Sequence, residues 1–467
     1  MASGEIIHSL SFYPRGGSAQ VVRYLAAAQQ QLGWRPWIVS GSLGRHGDIG
    51  HAATFFSGLP VVAADFGPAV AAWRRGRDPM TQPVPMHPSY EDRPDAPDRV
   101  FASLSPALAE HQVRSWQRVL ERGRPRAPAV LHLHHLTPLH EAATGRFPGT
   151  PVVTHLHGTE LLMLERIVAG NVPSSWSHAD YWLRRLRGTA GRSDHVVTLS
   201  ADHAERARAV LGVPDDRVSV VPNGVDTDRF HPIRLGTAER LALLRRWLVD
   251  DPQGWDASGR AGSIRYTLAD LSAFVDGDRP RPVLLFVGRF TAVKRLPLLL
   301  RAYARVRARL GAVAPLLVWG GHPGEWEGPH PACLAGPAAK GGVFFVGWRG
   351  HDELPAGFAC ADLLVAPSVG EAFGTVYLEA MAAGLPVLAT RTGGPATFVN
   401  VDGDAPVGWL VPPDDEDAIV AAIVEALTDA PGRVARGRAA SEYARRWYSW
   451  PRVAAAVSEI YGSVHAR

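Results

Sequence analysis

The chain has 467 residues, 46% of them hydrophobic and 20% charged, with a formal net charge of +4. That length supports two or three domains with ample cores, and the composition excludes fibrous and low-complexity classes. Only two cysteines occur, Cys333 and Cys360, which excludes a disulfide framework and points to a reducing compartment.

The opening stretch "MASGEIIHSLSFYPRGG" has no basic region followed by an apolar run, and no run reaches the ~18 apolar residues of a spanning helix. A cytoplasmic protein is expected, at most peripheral to the inner face of a membrane. There is no zinc ribbon, aromatic RNA-binding signature or basic arm, so nucleic acid is not an expected partner.

Along the chain, short apolar runs alternate with helix-length segments, the pattern of parallel α/β units. The first half supplies "EIIHSL", "RPWIVSG", "LPVVAA", "AVLHLHH", "TPVVTHLHG", "HVVTLS" and "VSVVPNG". The second supplies "PVLLFVG", "APLLVWGG", "GVFFVGW", "DLLVAPS", "LPVLAT" and "VGWLVPP". Each half has strands for its own doubly wound sheet, and the carboxyl ends of two such sheets facing across a cleft make a natural ligand site.

Gly16 and Gly17 follow the first run at a strand-to-helix turn. Without a Cβ there, a ligand can approach the backbone N–H groups, although a tight turn alone also accounts for them. The Pro-rich, charged segment 75–99 reads as an extended surface loop or lid. His132 and His134 share one strand face, as do His155 and His157. Such spacing can serve zinc, but no cysteine or acidic third ligand stands nearby, so no metal site is expected. His157, before Gly158 at a strand's carboxyl end, reads as a polar group aimed into the cleft. Arg184, Arg185 and Arg187 are candidates for a basic face toward a membrane.

Asn223-Gly224 makes a turn, and Asp226 to Asp228 can cap the segment after it. Residues 234–281 read as an insertion plus interdomain connection. In "FVGRFTAVKR" a strand ends at Gly288, placing Arg289 and Lys294 in a loop suited to neutralising a diphosphate. In "GEAFGTVYLEAMAAG", Glu371 precedes a helix beginning near Phe373-Gly374-Thr375, Glu379 lies within it, and Gly384 ends it. Asp414, Asp415 and Asp417 precede a helix and read as caps.

In this order "PRGGSAQVV", "HLHGTE", "VVPNGVDTDRF", "FVGRFTAVKR", "LLVAPSVGEAFGTVYLEAMAAGLPVLATRTGG" and "GWLVPP" resemble the family-4 retaining glycosyltransferases of the GT-B fold. The resemblance spans nearly the whole chain, apart from insertions at about 75–125 and 234–281. It implies an α/β protein of two doubly wound Rossmann-like domains facing across a cleft. These are an acceptor-binding domain at 1–233, a connection at 234–281 and a nucleotide-sugar domain at 282–448. A C-terminal helix at 449–467 packs back on the first domain.

The resemblance implies a UDP-, GDP- or ADP-sugar donor and no cofactor or metal. Arg289 and Lys294 match diphosphate-binding cations, Glu371 the glutamate beside the donor sugar, and Glu379 the one holding the ribose. The donor side also takes in Gly16, Gly17, Gly347, Trp348, Ala372, Phe373, Gly374 and Thr375. His157 matches a histidine near the transferred sugar, with Glu371, Arg289 and Lys294 completing the catalytic set. His134, His155 and Asn223 are expected on the acceptor side, toward a small molecule, lipid or glycan.

One departure stands out: where the family often has a glutamate after "TGG", this chain has Thr397, so donor-sugar identity does not transfer. The expected reaction is retaining transfer to a hydroxyl or amine, front-face, with a donor phosphate oxygen taking the acceptor proton. Alternatives are a 2-epimerase, a pseudo-glycosyltransferase, or a non-catalytic sugar-nucleotide-binding protein.

Overall fold

The computed structural model describes residues 4–93, 96–123, 127–311, 314–335, 341–400, 402 and 405–465. The chain divides into two compact units, Met1–Gly224 with Trp450–Arg467 (unit 1) and Val225–Ser449 (unit 2).

Unit 1 carries seven parallel strands: β1 (Glu5–Leu10), β2 (Arg35–Ser42), β3 (Val61–Asp65), β4 (Val130–His134), β5 (Val152–His155), β6 (His195–Thr198) and β7 (Val218–Val220). Their order across the sheet is β3-β2-β1-β4-β5-β6-β7. Successive strands step outward from β1 in one direction, then from β4 in the other. The crevice between the carboxyl ends of β1 and β4 is therefore the topological switch point where ligands bind in such sheets. β1 and β4 lie in register, with Ile6 beside Val130 and His8 beside His132. The apolar residues of these strands are fully buried, as a sheet covered on both faces requires. One covering layer comes from the far end of the chain: helix Trp450–His465 packs Val453, Val457 and Tyr461 with Ile6, Val21, Leu25 and Val130.

The segment 75–99, expected as an extended surface loop or lid, is exposed at 75–78 but held down farther along. Beyond residue 78, and apart from Pro94 and Asp95, which lie outside the described residues, it is anchored inward. Met80, Met86, His87 and Tyr90 are buried, and Tyr90 donates to the Leu136 carbonyl at 2.5 Å. Its prolines and charges suggested solvent, but its Met and Tyr side chains supply the apolar area that holds it down.

Unit 2 repeats the architecture. A short antiparallel ribbon, β8 (Val275–Asp276) with β9 (Arg279–Pro280), precedes six parallel strands. These are β10 (Leu284–Val287), β11 (Leu316–Trp319), β12 (Val343–Gly347), β13 (Leu363–Val365), β14 (Val387–Thr390) and β15 (Gly408–Val411), in the order β12-β11-β10-β13-β14-β15. Here the switch point lies between β10 and β13.

The stretch 234–281, read from sequence as an insertion and connection, lies within unit 2 and lines the edge strand β12. Phe345 N–H donates to the Tyr266 hydroxyl at 2.8 Å, and Gly347, at φ +80°, leaves room for the Gln253 carbonyl. A β-carbon on Gly347 would stand 2.1 Å from that oxygen. Covering an edge in this way removes a row of unpaired backbone groups. Trp255, from the same stretch, is fully buried, stacks on Phe290 at 5.2 Å and donates to the Gly321 carbonyl at 2.9 Å.

Candidate active site

In unit 2 the two strands flanking the switch point deliver their carboxyl-end loops to one place. The loop after β10 runs through Gly288 and the exposed Arg289 to a single 3-10 turn, Ala292–Lys294. The loop after β13 runs through Ser368 to Glu371. A backbone bond ties the loops together, Val369 N–H to the Val293 carbonyl at 2.8 Å. Lys294 Nζ then donates to Glu371 Oε1, forming an ion pair whose side chains are mostly shielded from solvent.

Beyond Glu371 the chain turns at Gly374 (φ +86°) into helix Thr375–Ala382, whose first turn has no side-chain cap. Its leading N–H groups and the helix dipole favour negative charge at that end. The glycines of "TGG" explain how the loop is held. Gly394 N–H donates to the Glu371 carbonyl at 2.8 Å. A β-carbon on Gly394 would fall 2.2 Å from Phe373 Cα, and one on Gly393 would fall 2.5 Å from the Glu371 oxygen. Thr397, where a glutamate was anticipated, donates its hydroxyl to the Gly394 carbonyl at 2.6 Å and closes that turn.

Glu379 lies on the same helix, 7% exposed, and accepts from His351 Nε2 at 2.7 Å. His351 was not singled out in the sequence. It lies in the loop after β12, four residues past Gly347, with its ring against Phe230 at 5.2 Å. Trp348 is exposed, with its ring 5.3 Å from that of His322. The acidic run at 414–417 is structural: Asp415 accepts from Ala418 N–H as a helix cap, and Asp414, Glu416 and Asp417 pair with Arg295, Arg301 and Arg305.

In unit 1, Gly16 and Gly17 open helix Gly16–Gln31, Gly16 at φ +73°, and a β-carbon on either would meet nothing within 4 Å. Along the inner strands of this unit's sheet lies a histidine cluster larger than the sequence showed. His134 Nε2 is 3.1 Å from His8 Nδ1, His134 Nδ1 is 2.9 Å from His157 Nε2, and His132 Nε2 is 3.2 Å from His155 Nδ1. Burial, with neighbouring imidazoles, holds His132, His134 and His157 well below the usual histidine range; burial brings His8 down to about 4 and His155 to about 3. These rings are neutral at pH 7.

His135, at φ +63° just past β4, is paired with the buried Glu160 at 3.1 Å. Despite burial, that pairing and the N–H of His157, 2.7 Å from Glu160 Oε1, bring the Glu160 carboxyl down to about 2. Glu160 thereby fixes the turn that presents His157.

His134 and His155, expected on the acceptor side, instead face inward and use ring nitrogens on other histidines; both are buried, as is Asn223 on the turn after β7. His157 is the half-buried member at the outer end of the cluster. His8, His132 and His134 bring nitrogens within 4.8 Å of one another. The His132 and His134 planes are 5° apart with centroids 4.6 Å apart, and the ring nitrogens of these two residues are engaged with Tyr461, His155, His8 and His157. Of the three arginines proposed for a basic face, Arg185 is clamped by Glu141 and Glu110, each at 2.8 Å, and Arg187 donates to the Val210 carbonyl at 2.7 Å. Among the described residues no helix is long and apolar enough to cross a membrane.

Comparison with known proteins gives the same assignment for both units. Residues 15–229 match the model for Glycosyltransferase Family 4 and residues 281–429 that for Glycosyl transferases group 1. A glycogen synthase of Mycobacterium tuberculosis is 27% identical over 91% of this chain and 92% of its own length. A D-inositol 3-phosphate glycosyltransferase of Salinispora tropica is 33% identical over 68% of this chain and 60% of its own. Among solved structures, sucrose-phosphate synthase from Thermosynechococcus elongatus superposes with a TM-score of 0.68 at 19% identity, covering 99% of each chain. Anabaena HepE in complex with UDP and glucose superposes with a TM-score of 0.62 at 15% identity, covering 98% of this chain and 99% of that one. The two doubly wound units and their switch-point loops define a glycosyltransferase of the GT-B fold. The chain belongs to glycosyltransferase family 4.

Proposed function

We propose that the protein transfers a sugar, with retention, from a nucleoside-diphosphate sugar to a hydroxyl or amine acceptor. The observation that carries this reading is the Lys294–Glu371 pair beside the uncapped start of helix Thr375–Ala382, at the switch point of unit 2. A cation, an anion-favouring helix end and a carboxylate side by side suit a ligand that is anionic in its middle and hydroxyl-rich at its ends. Arg289 and Lys294 neutralise the diphosphate, Glu371 takes sugar hydroxyls and Glu379 the ribose, with His351 orienting its carboxylate. In unit 1, His157 offers a ring nitrogen to a substrate hydroxyl. That HepE is in complex with UDP and glucose, and starch synthase IV from Arabidopsis with ADP and acarbose, supports a nucleotide-sugar donor.

In the proposed reaction the bond from the anomeric carbon to the diphosphate oxygen breaks, and its electron pair leaves with the diphosphate. The acceptor oxygen or nitrogen bonds to the same face, and its proton passes to a phosphate oxygen of the leaving group. The cations and helix end favour the charge that develops there, and such preorganised groups are typically worth ~3–4 kcal/mol each. In this reading the cationic side chains do that work without a resident metal.

The test is a thermal-shift panel of UDP-, GDP- and ADP-sugars, followed by product analysis with the stabilising donor. A stabilising donor and an α-configured product from an α-configured donor are expected. An inverted product, or stabilisation by none of the donors, overturns the proposal.

A further inference from the structure

The buried histidines of unit 1 form a directed hydrogen-bond network with a single organiser. Gln29, buried on helix Gly16–Gln31, touches both branches. Its Oε1 lies 2.7 Å from His8 Nε2, and its Nε2 donates to the Tyr461 hydroxyl at 2.9 Å. One branch runs from His8 through His134 to His157. The other runs from Tyr461, which bonds His132 Nδ1, through His132 to His155.

A neutral imidazole has one N–H and one bare nitrogen, so fixing any bond of such a chain fixes the direction of all the others. The carbonyl oxygen of Gln29 only accepts, so His8 carries its proton on Nε2 and offers Nδ1 as an acceptor. His134 must then donate from Nε2 and accept at Nδ1, and His157 must donate from Nε2. His157 is left with a bare Nδ1. In the second branch the Gln29 amide donates to Tyr461, but a hydroxyl that accepts there can either donate to His132 Nδ1 or accept from it, so Gln29 sets the direction of the His8 branch alone.

We infer that Gln29, acting through His8 and His134, is a positioning residue that sets the tautomer of His157 and leaves Nδ1 as a hydrogen-bond acceptor for a substrate hydroxyl. The substrate part of this statement rests on the function proposed above; the tautomer part does not. Burial keeps every member of the chain neutral at pH 7, which is the condition for a directed chain. Stacking limits ring rotation as well, with His134 and His157 centroids 5.2 Å apart at 23°.

The experiment is long-range proton–nitrogen NMR on the full chain carrying ring-labelled histidine, with His157 and His155 assigned through His157→Asn and His155→Asn. The wild-type protein should show His157 protonated on Nε2. A proton on Nδ1 of His157 means the Gln29 amide is turned round, and it overturns the inference. Tyr461→Phe opens only the second branch, so His157 should stay on Nε2. Gln29→Leu should scramble the His157 tautomer, and an unchanged His157 in that variant also overturns the inference. In assays with the active donor, Gln29→Leu should lower kcat about tenfold with KM for the donor within about twofold. Stabilisation by the nucleoside diphosphate alone should be unchanged. Absence of glycosyl transfer in the wild type would count against the proposed function and leave the tautomer result standing.

Discussion

Lys294 and Glu371 come from loops 77 residues apart in sequence, yet they meet as an ion pair because β10 and β13 are neighbours in the sheet. Each holds the other in place before any ligand arrives. Replacing Lys294 by Ala removes a cation expected to meet the leaving group, and kcat should fall about 100- to 1000-fold. Glu371→Gln should keep the fold and lose comparable activity. Either variant folded and fully active, by circular dichroism and a product assay, removes the proposed site.

Glu379 and His351 should behave differently, since in the proposed reading they hold the ribose, and such a group binds ground and transition states alike. His351→Phe should raise KM for the donor about tenfold with little change in kcat. Steady-state kinetics at several donor concentrations separates the two parameters. A loss confined to kcat would assign His351 to the chemical step instead.

Gly394→Ala should act on the site from behind. The added methyl has no room beside Phe373 Cα, so the 371–374 loop must shift. Overpacking of this kind costs about 1–3 kcal/mol, and a small displacement at Glu371 costs activity as well. A variant with wild-type melting temperature and rate would show the loop to be slack.

Acid should destabilise unit 1 early. In the unfolded chain His8 takes up its proton near 6.5, and in the fold only at about 4. Across that window the unfolded state binds more protons, so stability is whole above pH ~6.5 and falls as pH drops toward 4, by up to about 1.4 kcal/mol per pH unit for each such histidine. His155 and His140, a buried residue of helix Leu139–Arg146, are both lowered to about 3 and extend the loss further down. Glu160, lowered to about 2, adds stability that is lost below the usual carboxylate range. Urea unfolding at pH 8, 6.5 and 5 reads the slope; equal midpoints at all three would mean the cluster is solvated.

Trp255→Ala tests what the 234–281 stretch does for the site. Deleting a fully buried tryptophan costs about 3–5 kcal/mol. Phe290, on which it stacks, directly follows Arg289, so donor affinity should fall together with the melting temperature. Unchanged donor affinity in a folded variant would confine the stretch to covering the sheet edge.

Much of the fold is legible in the sequence because it is written in local pattern. Every apolar run named from the sequence is a strand, since buried parallel strands need continuous β-branched and aliphatic residues. The Gly374 turn and the helix after it arise from glycine at positive φ before a segment that ends in the good helix formers Leu378 to Ala382. The features that escape a sequence reading depend on neighbours distant along the chain. His8 looks like a lone polar residue in "EIIHSL" until the register of β1 with β4 places it beside His132. Gln29 sits among other glutamines on a helix, with nothing local to mark it. In the 75–99 segment proline and charge dominate the local pattern, while a few buried anchors decide the outcome.

One further consequence concerns connectivity. Val225 N–H donates to the Tyr448 carbonyl at 2.7 Å, and Val225 bridges Ser449, so unit 2 begins and ends at the same spot. In unit 1 the two chain breaks also adjoin, with Gly224 against the Trp450 ring. In the language of gene architecture, one module is spliced into another at a single scar. A fragment of residues 225–449 has juxtaposed termini of the kind that independent domains possess. Joining Gly224 through a short linker to Trp450 should likewise give unit 1 as a product of its own, so the Lys294–Glu371 pair and the histidine network can each be studied in a separate molecule.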